Sequence, residues 1–565
     1  MKAHFIDVKI RKISLLIMAV WSLMFVDLIK PDLLFSQIGA PLSLEKSNPS
    51  EQLFVAQKHK FSSDSNPGTP DLPLKTIMGA IEIAKKNHRN GLGTKIRVSP
   101  GVYRETISLL VPEVESDADP VIIIEGTSWG KVKISGSQIW GNWQKTNKSG
   151  VYVHAWPYKW GVSPFPGNWP SRLNRSPILR RQEMVFVNKL PLMQVLTSTD
   201  LRKGTFYVSE VEGKIYVSPR IGQKIETATV EVSVLPKLLT VRGKKNLVIR
   251  NLFFENAASP FHGSAVSFFN VQNLLLEDNA FRWNNWAGYQ LVQVKNVTSR
   301  RNASNYNGGA GIQGSKIKSF LSESEFTSYN NWRGSRGGLS FWAVAGAKYL
   351  HLHKAIFRRQ LGLSNHTGGF WLDTDNEDIL IENSRWCGNH EYGLFIEASQ
   401  GPIRVLNSKV YNNKWVGVRV MTSENVTLEG NQIFQNLGAE ISVADALTRN
   451  VKNWETGGNI FLKTGNWKMS HNIISGKNLL LSIGVKNFIT TLSSNNNFWY
   501  SSSFKKPFML ESNTSPRQFF DFNQWKANFG HDVNSLIDQS GKAKVPAFPG
   551  CSHALIPFWA NNTPF

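Results

Sequence analysis

Cysteine is nearly absent from this chain: Cys387 and Cys551 are the only two in 565 residues. Two thiols leave no room for a cysteine-rich zinc site or a disulfide framework. Long apolar runs are missing too. The most apolar stretch, residues 13–26, suits a signal-peptide core better than a spanning helix. Apolar residues at helical spacing are scarce while Asn and Gly are abundant, which favours β structure. Acidic residues fall short of basic ones, 41 against 64, giving a net charge of +23. That excess is spread along the chain and suits an anionic polymer, a membrane surface or a soluble basic face. No groove-reading motif accompanies it, so no nucleic-acid partner is expected. Nor is there a P-loop lysine motif, a G-x-S-x-G elbow, H-E-x-x-H or C-x-x-C. Phosphoryl transfer, serine hydrolysis and zinc proteolysis therefore have no support.

What is present divides the chain. Lys2, Lys9, Arg11 and Lys12 precede the apolar stretch, so residues 1–36 read as a signal peptide. No clean small-residue cleavage site follows, and an uncleaved anchor is the second reading, the only one that brings a membrane. A secreted, periplasmic or cell-surface protein is expected. Residues 37–65 are polar and read as a linker. In 66–137, Ile77, Ala80, Ile81 and Ala84 share one helical face before several short strands. A capping helix there would close the open apolar end of a coil. From 246 onward, short strand cores such as Asn273-Leu-Leu-Leu, Asp378-Ile-Leu-Ile and Asn425-Val-Thr-Leu recur at intervals clustered in the twenties. Such periods mean a solenoid, and units of several strands without a helical face mean a parallel β-helix. Residues 138–240, rich in Trp and Pro, interrupt it as an inserted β-rich, sandwich-like module. The β-helix fills 241–500, and 501–565 form a tail with a short helix near Asp521.

Two segments repeat each other's pattern with a carboxylate in the same place. Aligning Gly369 with Gly393 puts Asp373 and Glu397 four positions on, and Gly417 starts a third copy after another 24 residues. Strand side chains alternate faces. Phe370/Leu372, Leu394/Ile396 and Val418/Val420 then point inward. Trp371/Asp373, Phe395/Glu397 and Arg419/Met421 point outward. Stacked rungs lie about 4.8 Å apart, close to the ~5–5.5 Å between the carboxyl groups of a retaining glycosidase. Like charges facing each other on paired strands are destabilising by roughly 0.2–1 kcal/mol, so a purely structural rung has no reason to choose them. Trp371, and Trp342 four positions after Gly338 as Asp373 is after Gly369, offer faces for sugar stacking. Arg419 could balance charge one rung beyond Glu397. Trp332 and Arg333, in the gap before Gly338, are candidate cleft-wall residues. His351 and His353 share a strand face, a weak metal signal more consistent with a surface pair.

The opening DSNPGTPDLPLKTIMGAIEIA…TKIRVSPGVYRETI resembles the start of pectate-lyase-like right-handed parallel β-helix proteins. That resemblance implies the fold for about four-fifths of the chain, and no activity by itself. Trp371-Leu-Asp373 followed by Leu394-Phe-Ile-Glu397…Gly401-Pro402 is similar to the active-site segments of the β-helix β-xylosidases of glycoside hydrolase family 120. The resemblance implies Asp373 as nucleophile and Glu397 as acid/base, acting without a cofactor on an oligo- or polysaccharide. Thr374 and Gln400 stand where that family tends to carry an aromatic and a His, which puts the sugar in question.

Two rival readings remain. Asp373, Asp375 and Glu397 could ligate Ca²⁺ in a polysaccharide lyase acting on an acidic glycan, with Lys348, Arg333 or Arg419 as base. Alternatively, a secreted β-helix of this kind could bind a partner without catalysis.

Overall fold

In a computed structural model, residues 38–111, 119–444, 448–512, 515–538 and 551 are described. The segment 1–36, read as a signal peptide or anchor, lies outside them. Among the described residues no helix is long and apolar enough to cross a membrane.

Period-two alternation decides the architecture. One coil consists of strands Gly368–Asp373, Glu377–Glu382 and Arg385–Cys387. The next repeats it as Leu394–Glu397, Ile403–Leu406 and Lys409–Tyr411, and a third as Val416–Met421, Val426–Glu429 and Gln432–Phe434. Each strand pairs in parallel with its counterpart one coil on: Phe370 opposite Leu394, Ile379 opposite Ile403, Arg385 opposite Lys409. Stacking of this kind makes a parallel β-helix. The inward members Phe370, Leu372, Leu394, Ile396, Val418 and Val420 are all buried in one core that runs from Leu53 to Trp525. Each such burial contributes about 1.5–3 kcal/mol, so a one-residue slip that turned the strand over would forfeit the whole set.

The turns are fixed by asparagine. Asn330, Asn365, Asn389, Asn413 and Asn436 stack in a fully or almost fully buried ladder. The Oδ1 of each later rung accepts from the backbone N–H and the Nδ2 of the rung before, at 2.8–3.1 Å. Glycine follows four positions after Asn365, Asn389 and Asn413 because there is no space for more. A Cβ on Gly369 would lie 2.6 Å from the Gly393 carbonyl oxygen and 2.8 Å from Asn389 Nδ2.

Both ends are closed. Helix Ile77–Arg89, capped by Thr76, buries Ile77, Ala80, Ile81 and Ala84. Helix Phe522–Phe529 starts with a capping box between Asp521 and Gln524. It lays Trp525 on Phe508 with ring centroids 5.0 Å apart. The linker expected at 37–65 needs correction. Its residues Glu51–Val55 form a strand in register with Thr94–Val98, because Leu53 and Val55 alternate into the core while Phe54 packs beneath Arg97. The two cysteines also join, in a Cys387–Cys551 disulfide across 164 residues.

Between Val132–Ser135 and Leu239–Arg242 the chain leaves the solenoid. A four-stranded sheet (from Ser137–Ile139 to Val230–Ser233) and a five-stranded sheet share a core of Trp156, Val185, Val187, Phe206, Ile215, Val217 and Val232. The chain then rejoins the coil, Leu239 pairing with Ile107. Arg333, buried to 1% exposure, fastens this module to the β-helix. Its guanidinium donates to the Glu183 carbonyl at 2.7 Å and to Gln194 Oε1 at 2.8 Å.

Candidate active site

The outer face of the first strand in successive coils floors a cleft of about 1030 Å³. Strand register sets two columns on that floor. One runs Gln290, Gln313, Lys348, Trp371, Phe395, Arg419, each opposite the next. In the other, Leu350 lies opposite Asp373 and Glu397 opposite Met421. Leu372 pairs with Ile396, and Thr374 N–H donates to the Glu397 carbonyl at 3.1 Å. Asp373 and Glu397 therefore hold the same place on adjacent strands, about 4.8 Å of strand spacing apart.

Their surroundings differ. The Lys348 ammonium lies 2.9 Å from Asp373 Oδ2 and 3.3 Å above the Trp371 ring centre. Lys348 also donates to the Trp342 carbonyl. Thr374 Oγ1 donates to Asp373 Oδ1 at 2.8 Å. Glu397 is 6% exposed, yet it lines the cleft. Its Oε1 is 2.6 Å from Arg449 Nη2, and its Oε2 accepts from Trp371 Nε1 at 3.1 Å. Burial and then the neighbouring charge of Asp373 push the Glu397 carboxyl up, against the pull of Arg449 and Lys348. One carboxyl is held by a lysine at the cleft surface; the other is desolvated, which raises its pKa.

The sequence-predicted residues divide. Asp373, Glu397, Trp371, Trp342 and Arg419 all line the cleft. Trp342 does so by another route than expected. It sits in a loop with φ of +80°, not on a rung. The glycine that aligns with Gly369 is Gly346, which places Lys348 opposite Trp371. Asp375, Trp332 and Arg333 are corrected. Asp375 is fully buried and accepts from His351 Nδ1 (3.0 Å), His353 Nε2 (3.1 Å), Gln400 Nε2 (3.0 Å) and Trp454 N–H (2.9 Å). Burial works to raise its pKa, but these four bonds hold it below the usual carboxylate range. With its lone pairs spent in that cluster, Asp375 does not converge with Asp373 and Glu397 on a cation. Among the described residues no group of three or more His, Cys, Asp or Glu is placed to hold a metal. Trp332 Nε1 donates to the Tyr306 carbonyl at 2.9 Å, and Arg333 serves the module contact, so neither lines the cleft. His351 and His353, expected as a surface pair, instead share Asp375 between them.

Arg449, Trp415, Glu391 and Trp169 also line the cleft and were not foreseen. Lys348 carries a usable signal, the repeat extended one coil back to Gly346. Arg449 carries none. It starts a hairpin, Arg449–Lys452 against Asn459–Leu462, that interrupts the coil and has no counterpart in the repeat. The hairpin tip is tied down where Glu455 meets Lys318 (2.6 Å) and His353 Nδ1 (2.8 Å).

Fold and cleft define a parallel β-helix with a carboxylate pair on its outer face. Residues 340–433 match the family model described as a right handed beta helix region. Among solved structures the chain is similar to XylC in complex with xylose, with a TM-score of 0.63 and 14% identity over 86% of each chain. A glycoside hydrolase gives a TM-score of 0.47 at 12% identity, covering 83% of this chain and 95% of that one. At these identities the likeness shows the right-handed β-helix fold. No curated protein sequence matches the chain.

Proposed function

We propose that this β-helix is an exported carbohydrate-active enzyme, a retaining glycoside hydrolase. The observation that carries the reading is the stacked pair: Asp373 and Glu397 on adjacent strands of one cleft, each beside a cation, with the pKa of Glu397 raised by burial and by the charge of Asp373. An Asp373 oxygen attacks the anomeric carbon as the glycosidic C–O bond breaks, and Glu397 gives its proton to the departing oxygen. Arg449, at 2.6 Å, then faces an ionised Glu397. Glu397 takes a proton from water, the water oxygen bonds to the anomeric carbon, and the ester to Asp373 breaks. Trp342, exposed at the cleft, supplies an apolar face for a sugar ring, while Trp371 is held between Lys348 and Phe395, the latter at 5.1 Å. That the similar XylC structure holds xylose supports a carbohydrate ligand. The Cys387–Cys551 disulfide supports an oxidising compartment outside the cytoplasm.

The test is a screen of aryl glycosides beside acidic polysaccharides, following both chromophore release and unsaturated products. Release without unsaturation, lost in Asp373→Asn, is the expected result. Unsaturated ends that require calcium would overturn the hydrolase in favour of the lyase.

A further inference from the structure

Three cations line the cleft, and one of them stands apart. Lys348 is paired with Asp373 at 2.9 Å and Arg449 with Glu397 at 2.6 Å. Arg419 lines the same cleft. Its guanidinium lies 4.4 Å from the Trp415 ring centre and 5.4 Å from that of Phe395. Among the described residues it makes no salt bridge and no hydrogen bond. The guanidinium thus lies against two aromatic rings, and among the described residues the N–H groups of this five-donor fork have no acceptor. The contrast with Arg333 is direct. That arginine, also buried, spends its donors on Glu183, Gln194 and Ile178.

A half-buried cation without a counter-charge is costly, and an ordinary structural arginine avoids it by pairing. Burial lowers the Arg419 pKa, against the raising influence of Glu397, Tyr392 and Glu391. Of the nearby acids, Glu397 is already engaged by Arg449. The Glu391 carboxyl is pushed up by burial. Neither comes within ion-pair distance of the guanidinium. We propose that the glycan taken by this cleft carries an anionic group, the carboxylate of a uronic acid residue, and that Arg419 receives it in bidentate fashion.

Position says which residue of the glycan this is. Asp373, Glu397 and Arg419 occupy three successive coils in that order. If Asp373 is the nucleophile and Glu397 the acid, the leaving group departs on the Glu397 side, and Arg419 lies beyond it. The uronate therefore belongs to the leaving-group side of the scissile bond; this placement rests on the hydrolase reading, whereas the anion preference does not.

The experiment uses the Asp373→Asn protein, which binds without turnover. Acidic oligosaccharides (glucuronate-, galacturonate- and mannuronate-containing trisaccharides) are titrated calorimetrically beside carboxyl-reduced forms that differ only at the carboxylate. A sulfated, carboxyl-reduced series is run in parallel. The expected result is at least one acidic member bound about 10-fold or more tightly than its reduced partner, with the preference erased in Asp373→Asn/Arg419→Gln. No preference in any pair, a preference that survives loss of Arg419, or a preference for the sulfated series alone would overturn the assignment. The first and last of these are read without the arginine variant, so a folding defect there cannot hide the answer. Acid preference in a wild-type protein that cleaves nothing would sink the hydrolase reading and leave the anion site standing; cleavage of neutral glycosides without acid preference would do the reverse.

Discussion

The stacking of the two carboxylates depends on turns that hold successive coils in register, and Asn389 is the rung between them. Its Oδ1 accepts from Asn365 N–H at 3.1 Å and Asn365 Nδ2 at 2.9 Å. Its Nδ2 donates to the Gly362 carbonyl at 3.2 Å and to Asn413 Oδ1 at 2.9 Å. Asn389→Ala deletes all four while leaving the Asn389 N–H bond to Asn413 in place. At about 1 kcal/mol net per bond, the loss is about 4 kcal/mol. The buried Asn365 N–H then loses its acceptor, which keeps the figure from falling lower. Against the 5–15 kcal/mol that typical domains possess, this is a large fraction. Denaturant unfolding followed by tryptophan fluorescence should show a midpoint shift equivalent to about 3–5 kcal/mol. Exposed Asn487→Ala, changed in the same background, should stay within about 0.5 kcal/mol. A loss below about 1 kcal/mol at Asn389 would refute the claim that buried asparagine bonds set the coil register.

Other consequences concern the chemistry and its pH range. Glu397→Ala should lower kcat on unactivated glycosides by about 10²–10⁴ but spare the first step on an activated aryl glycoside, where azide restores turnover; no rescue by azide would count against Glu397 as acid/base. Burial lowers the His353 pKa, but bonds to Asp375 and Glu455 outweigh it and raise the folded value above the ordinary one. The docking these bonds provide is therefore fully present below about pH 6.5 and fades as pH rises through the higher folded value. Hydrogen-exchange protection factors, corrected for the base-catalysed intrinsic rate, should fall in residues 449–462 on going to about pH 9, and His353→Gln should flatten that dependence; pH-independent protection in the wild type would exclude the latch.

Legibility of the fold followed from repetition. Gly369, Gly393 and Gly417 mark three rungs because each packs against a neighbouring carbonyl and an asparagine of the ladder, so spacing and backbone contact are one constraint seen twice. The capping helix was readable from Ile77, Ala80, Ile81 and Ala84 for the same reason. Strand Glu51–Val55 was not. It is the first rung among the described residues, without an earlier copy there to match, and its first two residues Glu51 and Gln52 are exposed, so polarity masked a two-residue apolar alternation.

The same rule sorts the site. A solenoid repeats positions, and repetition delivers two like carboxyls in like places, which is why Asp373 and Glu397 could be found from sequence. Repetition cannot make them unlike. Acid chemistry needs one ionised and one protonated, so the asymmetry has to come from unlike surroundings: burial and the charge of Asp373 raise Glu397, against the pull of Arg449 and Lys348. Lys348 reaches Asp373 from a coil preceded by the long 329–344 excursion. Arg449 reaches Glu397 from the hairpin at 449–462, itself anchored by Glu455 on Lys318 and His353. Lys348 sits on a rung, opposite Trp371, and is legible once the repeat is extended back to Gly346, whereas the hairpin has no partner one coil away and does not announce itself in a search for spacing. Arg449 thus acts on the pair from a part of the chain that breaks the pattern, and substitutions in that hairpin should alter the two carboxyls unequally while leaving the stack of coils intact.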